Sequence, residues 1–154
     1  MTQPLLPIGA FIWCRFPISE DPRNPGPKDH LHLVYVEDST DDNSVLTIYT
    51  TSVIWDSKVP TPIGVMVVNS EMASKMGQKP FVLDARRIAL LPVTTDWFPG
   101  LAEPDRGILL IAETSFQKKV TSTARAALSR ASNVELLGPK APSNQHGWKP
   151  PGRV

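Results

Sequence analysis

The chain has one cysteine, Cys14, and three histidines among its 154 residues. An internal disulfide is thereby excluded, and so is a metal site built on paired cysteines. Cys14 lies in an apolar run and is read as a small buried apolar residue. No apolar run approaches the ~20 residues a membrane-crossing helix needs. The glycine-rich phosphate loop and the nucleophile elbow are also missing, which leaves the common nucleotide-hydrolase and serine-hydrolase chemistries without a motif. His30 and His32 lie two apart and offer two ligands on one strand face, but no third ligand has diagnostic spacing, so neither a metal nor another cofactor is expected. The first residues, Met1-Thr2-Gln3-Pro4, lack a basic region, and the apolar stretch after them is interrupted by Pro7. The expectation is therefore no secretory signal, no membrane association and a cytoplasmic location.

Proline, by contrast, is abundant: 16 residues, about twice the share expected from a usual frequency of about 5%. That composition favours short strands and irregular connections over long helices. The net charge of +1 hides an asymmetry, because residues 1–116 carry nine Lys/Arg against fourteen Asp/Glu while residues 117–154 carry seven against one. A basic C-terminal part suits either a solvated end or contact with a phosphate backbone or an acidic partner.

The stretch Pro25-Gly26-Pro27-Lys28-Asp29-His30-Leu31-His32-Leu33-Val34 joins two apolar segments and carries two of the histidines. Before it, residues 11–16 (FIWCRF) read as a strand bounded by Gly9 and Pro17. After it, residues 33–36 read as another. Residues 18–28 hold three prolines and a glycine and must loop out. His30 and His32 then emerge at the start of the second strand with their side chains on one face.

Further along, residues 37–44 form an acidic turn-rich connection, and residues 45–51 a strand with Val45, Thr47, Tyr49 and Thr51 on one side and Leu46, Ile48 and Thr50 on the other. Residues 53–63 read as loop, 65–68 as a short strand, and Ser70 as the cap of a helical turn through Lys75. A strand beginning at residues 81–84 continues to Pro92 and sets Arg86 and Arg87 beside Asp84. Residues 94–100 read as a turn anchored by aromatics, and residues 108–112 as a strand or a buried helix start. Residues 115–131 are expected to be helical, with Phe116, Val120, Ala124, Ala127, Leu128 and Ala131 as an apolar stripe and Lys118, Lys119, Arg125 and Arg130 toward solvent. Residues 134–137 suggest a last edge strand. The expected architecture is mainly β: one domain over residues 1–137, a small and mostly antiparallel barrel with a C-terminal helix, then a flexible Pro/Gly-rich basic tail over 138–154.

Three segments together carry a resemblance. Gly9-Ala10-Phe11-Ile12-Trp13-Cys14-Arg15-Phe16-Pro17, then Pro25-Gly26-Pro27-Lys28 leading into Leu33-Val34, then Ile48-Tyr49-Thr50-Thr51-Ser52 resemble the N-terminal half of the PemK/MazF toxin family. Phe81-Val82-Leu83-Asp84 with Arg87-Ile88, closing near Pro92 and Trp97-Phe98, is similar to its second half. The likeness covers roughly residues 8–130. It implies an SH3-like barrel that forms a homodimer, cuts single-stranded RNA without a metal to inhibit growth, and is neutralised by an antitoxin protein. The family's loop runs Gly-Pro-Lys-Pro-Arg-Pro, its arginine being catalytic or phosphate-binding; here Asp29-His30-Leu31 stands where Pro-Arg-Pro would be. The arginine that some members place just before the acid is replaced by Val82 and Leu83.

The resemblance implies a catalytic set of His30, His32 and Asp84, and an RNA- or phosphate-binding set of Lys28, Thr50, Thr51, Arg86 and Arg87. Cleavage requires a base for a ribose 2′-hydroxyl, an acid for the leaving 5′-oxygen, and donors for the charge on the phosphorane. His30 or Asp84 is the candidate base, the other or His32 the acid, and Arg86 or Arg87 with Thr50 the phosphate clamp. Losing the loop arginine removes a permanently charged bidentate ligand, whereas histidine exchanges protons near neutrality. The alternative is a barrel that has lost catalysis and binds protein or nucleic acid through the same groove.

Overall fold

Alternating β-branched and aromatic residues on both faces of a strand require cover on both sides, and that requirement shapes the molecule. The computed structural model describes residues 6–37, 44–52, 61–130 and 134–139. In chain order its elements are β1 (Ala10–Cys14), β2 (His30–Glu37), β3 (Ser44–Thr51), β4 (Val65–Val68), α1 (Ser70–Ser74), β5 (Phe81–Pro92), β6 (Ile108–Ile111), α2 (Thr114–Arg130) and β7 (Glu135–Leu137). The sheet runs β4-β5-β3-β2-β1-β6, antiparallel throughout, and β7 adds in parallel along the second half of β5. It curls into a half-barrel whose ends, β4 and β6, do not pair with each other.

Each face of the sheet is buried. Toward α2 lie Phe11, Leu33, Ile48, Leu83 and Ile88, with Val120, Ala124 and Ala127 of the helix packed over them. On the other face lie Ala10, Ile12, Cys14, Val34, Val45 and Leu91, covered by Phe16, Trp97, Phe98 and Leu137. Residues adjacent along β1 and β2 thus enter different clusters, and each large side chain removed from water contributes about 1.5–3 kcal/mol. The small residues of α2 permit close approach: a Cβ on Gly64 would lie 2.6 Å from the Cβ of Ala127.

Strand β5 is interrupted by a bulge. Ile48 of β3 faces Ile88, but the next residue, Tyr49, faces Asp84, which leaves Ala85, Arg86 and Arg87 unmatched on β3. Before the bulge β5 pairs with β4; from Arg87 onward it pairs with β7. The bulge therefore marks the place where β5 exchanges one outer neighbour for another.

The helix expected over residues 115–131 spans Thr114–Arg130, with Val120, Ala124 and Ala127 buried and Phe116 and Leu128 half-buried. Residues 108–111 are strand. The cap of α1 is Asn69 rather than Ser70: its side-chain oxygen accepts the Met72 N–H at 3.0 Å, and Ser70 becomes the first helical residue. The last edge strand expected over residues 134–137 is β7, and it pairs in parallel with β5. Trp97 and Phe98 anchor their turn as expected, both buried, with the Phe98 N–H donated to the Thr94 carbonyl. Most of the acidic connection (residues 38–43), most of the loop expected over 53–63 (residues 53–60), Ala131 and the tail over 140–154 lie outside the described residues. Among the described residues, no helix is long and apolar enough to cross a membrane.

Candidate functional site

The segment between β1 and β2 is held against the sheet by Gly26. Its N–H is donated to the Arg15 carbonyl at 3.1 Å, and a Cβ there would lie 2.2 Å from the Phe16 carbonyl oxygen, so only glycine fits. That contact delivers Asp29 and His30 to the head of β2, where Asp29 accepts an exposed hydrogen bond from Arg15. The far end of β3 lies alongside through the β2–β3 ladder, and the turn after α1 closes the other wall.

Together these elements form a groove of about 560 Å³. It brings together the expected residues His30, Thr50 and Thr51 with three that the sequence did not assign to a site, Trp13, Gln78 and Lys79. His30 is exposed. The Thr50 hydroxyl donates to the Leu31 carbonyl, which ties the end of β3 to β2. Lys79 is the only Lys or Arg, and no Asp or Glu lines the groove, among the described residues. Trp13 packs against the helix-side cluster and also forms part of the groove wall.

His32 shares the strand face of His30, their ring centroids 6.1 Å apart, yet it is only 1% exposed. Its ring stacks on Phe16 at 4.5 Å and on Tyr49 at 5.8 Å between centroids. Nδ1 accepts the backbone N–H of Thr50 at 3.2 Å, so the neutral ring carries its proton on Nε2, which is buried without a partner among the described residues. Burial, and secondarily the charge of His30, lower its pKa to about 3, against the opposing pull of the Ile48 backbone carbonyl. The imidazole is thus a fixed acceptor behind the groove.

Asp84, Arg86, Arg87 and Lys28 do not line the groove. Asp84 Oδ1 accepts from the Arg86 backbone N–H at 3.0 Å and from Nε at 2.8 Å, and Oδ2 accepts from Nη2 at 2.8 Å. This fork raises the Arg86 pKa, mainly through the hydrogen bonds to Asp84. Arg87 leaves the bulge in another direction: its guanidinium lies 4.8 Å from the Tyr49 ring centroid, donates to Glu135 at 2.9 Å and to the Ser19 hydroxyl at 2.7 Å. Both arginines therefore serve the bulge and the docking of β7. Lys28 is exposed in the preceding loop.

Lys79 and Gln78 sit in the segment Gly77-Gln78-Lys79-Pro80 between α1 and β5; the pairing of β5 with β3 carries it to the groove. Among the described residues no three His, Cys, Asp or Glu side chains are grouped to hold a metal ion. No protein-family model matches the chain, and no curated protein matches it.

Proposed function

We propose that the groove binds single-stranded RNA, that the half-barrel is of the SH3-like PemK/MazF type, and that His30 supports metal-independent cleavage of the bound strand. The observation that carries this reading is the meeting of His30, Thr50 and Thr51 with Lys79 and Trp13 in one groove free of carboxylates among the described residues. A lysine beside hydroxyls suits a phosphodiester, and an indole on the wall offers a stacking surface to a base. In the reaction His30 takes the proton of a ribose 2′-hydroxyl and the 2′-oxygen bonds to phosphorus. The bond from phosphorus to the 5′-oxygen breaks, and that oxygen takes a proton from the Lys79 ammonium or from water. The products are a 2′,3′-cyclic phosphate and a 5′-hydroxyl. The same reading includes a cytoplasmic growth-inhibiting toxin, a homodimer joined through open sheet edges, and an antitoxin partner.

A second reading, an RNA-binding barrel without cleavage, is favoured by a specific observation. Two of the three acid-base candidates are outside the groove: Asp84 has both oxygens engaged by Arg86, and His32 is buried. Incubation with mixed single-stranded RNA in EDTA, with cut ends mapped, separates the two. Cleavage by the native protein, reduced roughly 10²–10⁴-fold in His30→Ala, is the expected result. Cleavage unchanged in His30→Ala removes the assigned base, and RNA retention without cleavage selects the second reading. Absence of both binding and cleavage in folded protein rejects both.

A further inference from the structure

A second cleft, of about 410 Å³, lies between α2 and the β1–β2 side of the sheet and shares no lining residue with the RNA groove. Its size is within the range of small-ligand sites, about 300–1,000 Å³. Lys118, Thr121, Ser122 and Arg125 line one wall, at positions i, i+3, i+4 and i+7 of α2, so one helix face presents two cations with two hydroxyls between them. Seven residues of helix separate the cations by about 10 Å along the axis, a span that side-chain reach shortens further. Phe116 and Tyr35, both half-buried, supply aromatic surface in the same cleft. No Asp or Glu lines it among the described residues, and among those residues neither Lys118 nor Arg125 is in an ion pair. Burial raises the Tyr35 pKa, with Arg125 and Thr121 opposing, so the phenol is a neutral hydroxyl near neutrality.

Unpaired cations, interleaved hydroxyls and aromatic faces without a competing carboxylate are the recognition chemistry of a phosphate attached to a planar base. We infer that this cleft binds a nucleotide, with its phosphate on Lys118, Arg125 and the hydroxyl of Ser122, and its base against Phe116 and Tyr35; the Thr121 hydroxyl donates to the Gln117 carbonyl at 3.1 Å and completes the wall between the two cations. Carboxylates would repel such a ligand, and an uncharged one would leave both cations without a role. The nucleotide is either free or one unit of a strand; both present the same phosphate and base.

The test is titration of the full chain with adenosine 5′-monophosphate, an oligoadenylate, adenosine and inorganic phosphate, followed by calorimetry and by the backbone amide shifts of Tyr35, Thr121 and Ser122. Two charge-matched double variants accompany the native protein. Lys118→Glu/Arg125→Glu changes the cleft; Lys119→Glu/Arg130→Glu makes the same charge change at exposed α2 residues that do not line it. The expected result is saturable binding of the monophosphate with shifts at the cleft amides, weakened about tenfold or more by the first variant and far less by the second. Tighter binding of the oligoadenylate than of the monophosphate, with the same variant sensitivity, identifies the strand as the source; equal binding identifies the free nucleotide. Equal losses in the two variants, inorganic phosphate or adenosine binding as well as the monophosphate, or no cleft shifts with any probe would each overturn the inference. Because the two sites share no residue, failure here leaves the RNA groove standing, and failure of RNA cleavage leaves this titration readable.

Discussion

The backbone N–H of Thr50 is donated to Nδ1 of His32, so the residue at the groove's edge is positioned by a histidine that the groove does not reach. A neutral ring accepts this bond; a protonated ring carries a hydrogen on Nδ1 and cannot.

Stability should therefore fall in acid through His32. Its folded-state pKa is lowered to about 3 from an ordinary 6.5, so between these values the unfolded chain takes up a proton that the folded chain refuses. The contribution is fully present above about pH 6.5 and is lost as pH falls toward about 3, with an upper bound of roughly 5 kcal/mol. Urea midpoints measured from pH 7 to pH 4 should drop further for the native chain than for His32→Leu. Parallel profiles would refute the assignment.

Asp84→Asn should weaken the bulge rather than remove a groove group. The carboxylate accepts three hydrogen bonds from Arg86, two of them in a fork, and loss of its charge should cost about 1–3 kcal/mol. Chemical denaturation reads the cost directly. If cleavage is present, it should persist once the variant is assayed where it is folded, and a loss beyond the unfolded fraction would assign Asp84 a direct catalytic role.

Gly64→Ala and Gly77→Ala should differ sharply although both glycines have positive φ, +92° and +67°. At Gly64 the added Cβ meets Ala127 at 2.6 Å and the Arg86 Cγ at 3.2 Å, whereas nothing lies within 4 Å at Gly77. Backbone strain is common to both, about 1 kcal/mol; the clash at the helix should add roughly 1–3 kcal/mol at Gly64 alone. Equal thermal shifts would show that α2 yields freely at this contact.

Cys14 should resist thiol reagents until the chain unfolds. It is fully buried, and burial with the nearby Asp29 charge raises its pKa. Labelling in rising urea should follow the unfolding curve, and rapid labelling of native protein would show that the cluster beneath Trp97 and Phe98 opens locally.

Local pattern was sufficient for most elements. The aromatic and β-branched run of β1, the alternation of β3 and the apolar stripe of α2 each follow from short-range periodicity, because one or two faces must leave water whatever the rest of the chain does. The pairing of His30 and His32 on one strand face was legible for the same reason. Their different environments were not. Phe16, two residues past the end of β1, and Tyr49, from β3, close over His32 and leave His30 exposed.

The bulge at Ala85, Arg86 and Arg87 is the other feature beyond local reading. Adjacent arginines look equivalent in sequence, but the unmatched residues turn Arg86 back onto Asp84 and send Arg87 across Tyr49 to Glu135. Sequence by itself determined where most strands and the long helix form, because side-chain periodicity and turn residues act over a few positions; the apolar run that became β6 was too short for periodicity to decide. Tertiary structure alone decided which side chains share a groove: it brought Lys79 to His30 and Thr50 and withdrew His32, Asp84 and both arginines. Those outcomes depend on strand register and on what covers each face, and both are set by contacts between residues far apart in the chain.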